Sequence, residues 1–162
     1  LLQLFLYAGT HRDFKQMYYE FANVNGLRVG PLDDEEAPIR ILRTDDIIEA
    51  NELLIQYMFP WADGIITKPS GDMAYEAVAS GAFQLFLEPW GEWENNIEER
   101  FTKIGTGRKL NVKHFNQEFE KFRKHYWEGE TWFSYAKSKV FSLPKQYLEG
   151  SKNILRVYDK MV

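Results

Sequence analysis

Cysteine is absent from the 162-residue sequence. That one absence removes a disulfide framework, a thiolate nucleophile and a Cys-based zinc site, and it is compatible with a cytosolic location. Histidine is scarce. His11, His114 and His125 are scattered, with no His-x-x-x-His or Glu-x-x-His spacing, so no metal site is expected and the three read as surface or capping residues. No apolar run approaches the ~20 residues of a membrane span, so no transmembrane segment is expected. The apolar opening Leu1-Leu2-Gln3-Leu4-Phe5-Leu6 has no basic stretch before it and no small-residue cleavage site after it, which makes it a strand rather than a signal peptide. A basic excess is also missing: 20 Lys and Arg stand against 24 Asp and Glu, a net charge of −4, so nucleic acid is not an expected partner. The sequence opens without a Met, inside this expected strand, and reads as one part of a longer protein.

What is present is a chain with 44% hydrophobic residues, enough for one domain with a core of normal size. Residues 2–8 form an apolar strand ended by Gly9-Thr10, and residues 12–23 follow as a helix with Phe14, Met17, Tyr18 and Phe21 on one face. Residues 24–38, with glycines, two prolines and an acidic run, read as an exposed connection. Residues 39–43 are the second strand. Thr44 or Asp45 then caps a helix with an apolar stripe of Ile47, Ala50, Leu54, Tyr57 and Met58, closed by Pro60. Residues 64–67 and 83–87 are the third and fourth strands, and Ile97, Phe101 and Ile104 mark a helix ended by Gly105-Thr106-Gly107. From Asn111 onward the spacing predicts helices. Val112, Phe115, Phe119, Phe122 and Tyr126 recur at three and four residues; after a break at Gly129-Glu130 come Trp132, Phe133, Tyr135 and Ala136, then Tyr147, Ile154, Leu155 and Tyr158. Four strands alternating with helices predict an α/β fold with a parallel, doubly wound sheet and a helical C-terminal tail.

The segment that carries chemistry runs from Ala62 to Ala82. Gly64-Ile65-Ile66-Thr67 is a β-branched run suited to a buried parallel strand, and Pro69-Ser70-Gly71 stops it. Met73, Ala74, Ala77 and Val78 then recur at helical spacing, with Ser70 or Asp72 placed to cap the helix and Gly81 to end it. Loops of this kind gather at the carboxyl ends of parallel strands, where the N–H groups of a helix start attract anions. Glu76, one turn in, offers a carboxylate able to hold two hydroxyls of a ribose. The alternative is an ordinary strand-to-helix crossover in which Ser70 caps, Gly71 allows the turn and Glu76 is solvated.

Ala62-Asp63-Gly64-Ile65-Ile66-Thr67-Lys68-Pro69-Ser70-Gly71, followed by Glu76-Ala77-Val78-Ala79-Ser80-Gly81, resembles the donor-binding segment of GT-B glycosyltransferases. The likeness is to the group containing monogalactosyldiacylglycerol synthases, bacterial diacylglycerol glucosyltransferases and the peptidoglycan N-acetylglucosaminyl transferase. There a strand ends in Thr-Lys-Pro-Gly-Gly, and a helix contains Ser-Glu-Ala and closes on a small residue and Gly. Downstream, Phe83-Gln84-Leu85-Phe86-Leu87 and Glu88-Pro89-Trp90-Gly91-Glu92-Trp93-Glu94-Asn95-Asn96 stand where the family has a strand, a Pro, a Gly-Gln-Glu segment and an Asn. The resemblance covers residues 39–108 well and the flanks loosely.

The resemblance implies the C-terminal, donor-binding domain of an inverting, metal-independent hexosyltransferase. Residues 1–110 would form a Rossmann-like nucleotide-sugar-binding core, and 111–162 a helical extension packing on that core or on a missing N-terminal domain. The donor would be a UDP-sugar, bound as substrate with no cofactor, and the acceptor a lipid or lipid-linked molecule held by the missing domain, which also carries the catalytic base. The resemblance assigns no catalytic residue to this chain. It implies donor contacts from Gly9 and Thr10 near the base, from Thr67, Lys68, Pro69, Ser70, Gly71 and Asp72 around the diphosphate, from Glu76 to the ribose, and from Glu92 and Asn96 to the sugar. Gly9 serves equally as a residue that permits a tight turn. Glu94 is expected near the sugar, and Trp90 and Trp93 either stack on a ring or cover the loop.

Two departures matter. Glu92 replaces a family Gln, so a group that only accepts hydrogen bonds stands where one could also donate. Asp72 replaces a neutral residue, adding a carboxylate that favours the helix dipole but competes with phosphate for the same N–H groups. Further readings are therefore a non-catalytic glycosyltransferase-like binding or interaction domain, and a doubly wound small-molecule binding module. The expected location is cytoplasmic, with a peripheral membrane association as the alternative.

Overall fold

The computed structural model describes residues 2–147 and 149. The chain divides after Ala62 into two compact units. In the first, β1 (Leu4–Gly9), α1 (Arg12–Val24), β2 (Val29–Gly30) and β3 (Ile39–Arg43) give a parallel three-stranded sheet of order β1-β3-β2, and α2 (Ile47–Leu53) runs into a π-helical turn, Leu54–Met58. In the second, β4 (Gly64–Thr67), α3 (Gly71–Ser80), β5 (Phe83–Phe86), α4 (Glu92–Lys103) and β6 (Gly107–Lys109) give a parallel sheet of order β4-β5-β6. There follow α5 (Phe115–Arg123), an antiparallel hairpin of β7 (His125–Trp127) and β8 (Glu130–Thr131), and α6 (Trp132–Phe141). The fold is α/β and Rossmann-like, with parallel sheets wound by helices.

The second unit shows why its sheet reads as apolar on both faces. Successive strand side chains alternate in direction, so Phe83 and Phe86 point to opposite sides of β5. Phe83 packs its ring against Trp132 and Phe133 of α6, with centroids 5.6 and 5.0 Å away, whereas Phe86 meets Phe101 of α4 at 6.4 Å. Tyr75 of α3 lies edge-on to the same Phe101 at 5.2 Å. Thus α3 and α4 cover one face and α6 covers the other. Phe86 and Phe101 are fully buried, each contributing about 1.5–3 kcal/mol of apolar burial. Close packing also explains two glycines: a Cβ at Gly64 or Gly107 would stand 2.3 or 2.4 Å from the ring of Phe83 or Phe86. Gly81, at φ 95°, ends α3 as expected, with Ala82 N–H bonded to Ala77 O at 2.9 Å.

Several details differ from expectation. The cap of α2 is Asp46 and neither Thr44 nor Asp45: its carboxylate accepts from the N–H groups of Ile48 (2.6 Å) and Glu49 (3.4 Å). Thr44 braces the cap by accepting the Asp46 N–H at 3.1 Å. Ile47 is exposed and leaves the expected stripe. On α1 the stripe is turned: Tyr18 and Ala22 pack against Ile39 and Ile41, while Phe14, Met17 and Phe21 face solvent. Apolar residues cover so wide an arc of this helix that spacing alone does not say which edge of the arc meets the sheet. The connection 24–38 contains β2 and a structured loop, held by an Arg28–Asp34 ion pair (2.5 Å) and by buried Arg40, which donates to Leu32 O at 2.9 Å. Past Lys103 the helix α4 gives way to Gly105 (φ 84°) within the expected Gly105-Thr106-Gly107 stop, and Gly107 also starts β6, a strand that was not expected. Tyr126, expected on a helical stripe, lies in β7, because Glu128 (φ 46°) and Gly129 (φ 90°) turn the chain into a hairpin. Phe122 belongs to the core of the second unit and Phe115 and Phe119 pack against it half-buried, while Val112 of the same expected stripe is exposed. Ile154, Leu155 and Tyr158 lie outside the described residues.

Candidate functional site

The second unit gathers nine of the eleven expected donor residues at the carboxyl edge of its parallel sheet, where β4 passes into α3 and β5 into α4. Thr67 is the last residue of β4, and its carbonyl accepts the N–H of Leu87 at 2.9 Å, so the two loops leave the sheet side by side. Lys68, Pro69 and Ser70 form the first loop, with Ser70 N–H turned back onto Lys68 O at 2.8 Å and Pro69 fully buried beneath it. Gly71 and Asp72 open α3; Glu76 stands one turn further, exposed. Glu92 opens α4 and Asn96 follows four residues on, both exposed. Gly9 and Thr10 belong to the first unit, where Gly9 ends β1 at φ 56° and accepts the Thr44 N–H at 3.1 Å. That φ supports the turn-making role of Gly9 directly.

The start of α3 is open. Ser70 holds the capping position with extended backbone (φ −72°, ψ 146°), yet its hydroxyl makes no capping bond. The first N–H groups of a helix have no partner within it, so the amides of Gly71, Asp72 and Met73 point outward carrying the positive end of the helix dipole. Asp72 is in the first turn but supplies no cap either. Beside this start stands Lys68. Its Nζ has no hydrogen-bond partner among the described residues and lies against the ring of Trp90.

Trp90 and Trp93, expected either to stack on a ring or to cover the loop, both lie at it. Trp90 is 85% exposed and Trp93 69%, unusually high for the largest side chain in the chain. The Trp93 ring is 3.5 Å from where a Cβ on Gly71 would lie, so it sits directly over the opening residue of α3. Glu94, expected near a sugar, is engaged otherwise: its carboxylate accepts the Trp90 N–H at 2.7 Å and fixes the second loop onto the start of α4. Glu88 is likewise paired with Lys109 at 2.9 Å.

Electrostatically the edge is mixed. The Glu76 carboxyl is raised above the ordinary glutamate range, first by partial burial and second by the negative charge of Asp72 one turn earlier. An open helix start and an unpaired ammonium attract an anion, and Asp72 works against it. Among the described residues no group of three or more Asp, Glu or His is arranged to hold a metal ion. Among them too, no helix is long and apolar enough to cross a membrane. No model of a protein family matches this chain, and no curated protein matches it.

Proposed function

We propose that this chain is the donor-binding part of a GT-B glycosyltransferase, taking a UDP-sugar and serving transfer of a hexose to a lipid or lipid-linked acceptor. The observation that carries the reading is the order Thr67-Lys68-Pro69-Ser70-Gly71 placed at the end of a parallel strand, running into a helix start that no side chain caps among the described residues. In this reading the diphosphate lies against the amides of Gly71, Asp72 and Met73 with Lys68 as its counter-ion, because fixed N–H dipoles and one ammonium suit a charged phosphate that must be held and then released as UDP. Glu76 takes the ribose hydroxyls; Glu92 and Asn96 face the sugar. Transfer would join an acceptor oxygen to the anomeric carbon as the bond to UDP breaks, the acceptor's proton passing to a base outside this chain.

A second reading, a glycosyltransferase-like domain that binds without catalysing, is favoured by one specific observation. Asp72 sits among the amides a diphosphate would use, and its charge already raises the Glu76 carboxyl. Calorimetric titration of UDP and UDP-sugars, without metal and at low ionic strength, tests the binding that both readings share. Binding weakened at least tenfold by Glu76→Ala, about 1.4 kcal/mol, is expected. Absence of binding to both this chain and a longer protein containing it would overturn both. Transfer by that longer protein separates the first reading from the second.

A further inference from the structure

The first unit buries a charge that no carboxylate meets among the described residues. Arg40 lies on β3, the central strand of its sheet, and is 1% exposed, with Nη1 donating to Leu32 O at 2.9 Å. Its Nε and Nη2 have no hydrogen-bond partner among the described residues. The guanidinium instead lies over the rings of Trp61 and Phe5, 4.0 and 5.2 Å from their centroids. One acceptor and two rings compensate the buried charge poorly, since a guanidinium taken from water has five donors to satisfy.

The countercharge belongs to the loop that Arg40 holds. Residues 31–38 carry Asp33-Asp34-Glu35-Glu36 in a row. Burial pulls the Arg40 pKa down, and the charges of Glu35 and then Asp34 push it back up. The two halves of the loop are tied differently. Arg28 pairs with the Asp34 carboxylate at 2.5 Å, the Gln3 side-chain amide donates to Glu35 O at 2.6 Å, and Ala37 N–H bonds Asp34 O at 3.1 Å, so the second half is held from two sides. The first half is tied to the sheet by Arg40 through Leu32 O, and Asp34 N–H closes its turn onto Pro31 O at 3.2 Å.

We propose that residues 31–33 form a strap latched by Arg40 from within the sheet, and that ionic strength releases this latch without unfolding the unit. Closed, the strap gains the bond to Leu32 O and the attraction between guanidinium and carboxylates. Open, the guanidinium regains water for all five donors. The two terms oppose each other, so a small change in either shifts the population. Glu35 stands exposed, and added salt therefore screens its pull on Arg40 and favours the open strap. Opening bares Arg40 and Trp61 together, while Arg28 and Gln3 keep the second half in place.

Amide hydrogen exchange followed by NMR tests the latch. Asp34 N–H reports on the strap, Ala37 N–H on the second half, and Thr44 N–H, bonded to Gly9 O at 3.1 Å, on the end of β3. Raising NaCl to about 1 M is expected to speed exchange at Asp34 about threefold relative to Thr44. Arg40→Met, which keeps an unbranched apolar stem, is expected to speed Asp34 exchange about tenfold, to leave Ala37 and Thr44 within about twofold of wild type, and to remove the salt effect. Arg40→Lys, which keeps the charge, is expected to keep the salt effect. Circular dichroism shows whether each variant is folded. Should Arg40→Met fail to fold, the wild-type salt series decides, together with Glu35→Gln, which is expected to speed Asp34 exchange about twofold. Asp34 exchange that tracks Thr44 at every salt concentration overturns the latch, because the loop then opens only with the unit. Unchanged Asp34 exchange in folded Arg40→Met overturns it as well.

Discussion

Two places in this protein have the same architecture, a parallel strand running through a short loop into a helix, and they end differently. At the β3–α2 junction the first-turn amides of Ile48 and Glu49 are filled by the Asp46 carboxylate, and the Thr44 hydroxyl oxygen accepts the Asp46 backbone N–H. At the β4–α3 junction Ser70 occupies the equivalent position and caps nothing. The charges follow suit. Beside the closed start, Asp45 is held below the ordinary aspartate range, chiefly by a hydrogen bond from Arg43 and also by one from Arg12. Beside the open start, Glu76 is pushed up and Lys68 has no hydrogen-bond partner among the described residues. The difference teaches where each junction puts its free energy: the first closes its helix with the chain's own carboxylate, and the second leaves dipole and ammonium for something else.

The largest effect comes from removing the floor of the open junction. Phe101 is fully buried against Tyr75 of α3 and Phe86 of β5, so Phe101→Ala is expected to cost about 3–5 kcal/mol in urea unfolding. The comparison itself is sharpened by a matched pair of cap variants. Asp46→Ala removes two hydrogen bonds to first-turn amides and should cost about 1 kcal/mol, whereas Ser70→Ala removes none and should stay within about 0.5 kcal/mol of wild type. Equal losses from the two would erase the distinction between closed and open starts.

The smallest effect is a titration. Because burial and Asp72 raise Glu76 above its unfolded value, the folded chain binds this proton more tightly than the unfolded one. The associated stability is present at low pH and is lost as pH rises from the ordinary glutamate range through the raised value. Carboxyl NMR should place the Glu76 midpoint above that range. Asp72→Asn should lower it only part of the way, since burial is the larger cause. A full return to the ordinary value would assign the shift to Asp72 alone.

Much of the open junction was legible in the sequence because its signals are local. A β-branched run, a Pro-Ser-Gly stop, helical spacing of small residues and a closing Gly81 each dictate backbone conformation by themselves. The closed junction was harder: Thr44-Asp45-Asp46 offers three acceptors in a row, and only the actual turn selects Asp46. β6 was missed because Gly107-Arg108-Lys109 has no apolar or β-branched character; it pairs as an edge strand, with Arg108 lying against Phe122 and Trp132 at 5.2 and 6.0 Å. The hairpin was missed because Tyr126 keeps helical spacing with Phe122, whereas α5 stops at Arg123, Lys124 is extended, and Glu128 and Gly129 take the left-handed conformations that turn β7 back into β8. The seating of Trp90 on Lys68 joins residues 22 positions apart and leaves no trace in local pattern.

The most direct test of the open junction follows backbone amides by heteronuclear NMR during titration with UDP. The account predicts that the amide signals of Gly71, Asp72 and Met73 move in a saturable way while those of Ile48 and Glu49 stay in place. Unmoved α3 signals at millimolar UDP, or equal movement at both helix starts, would contradict it.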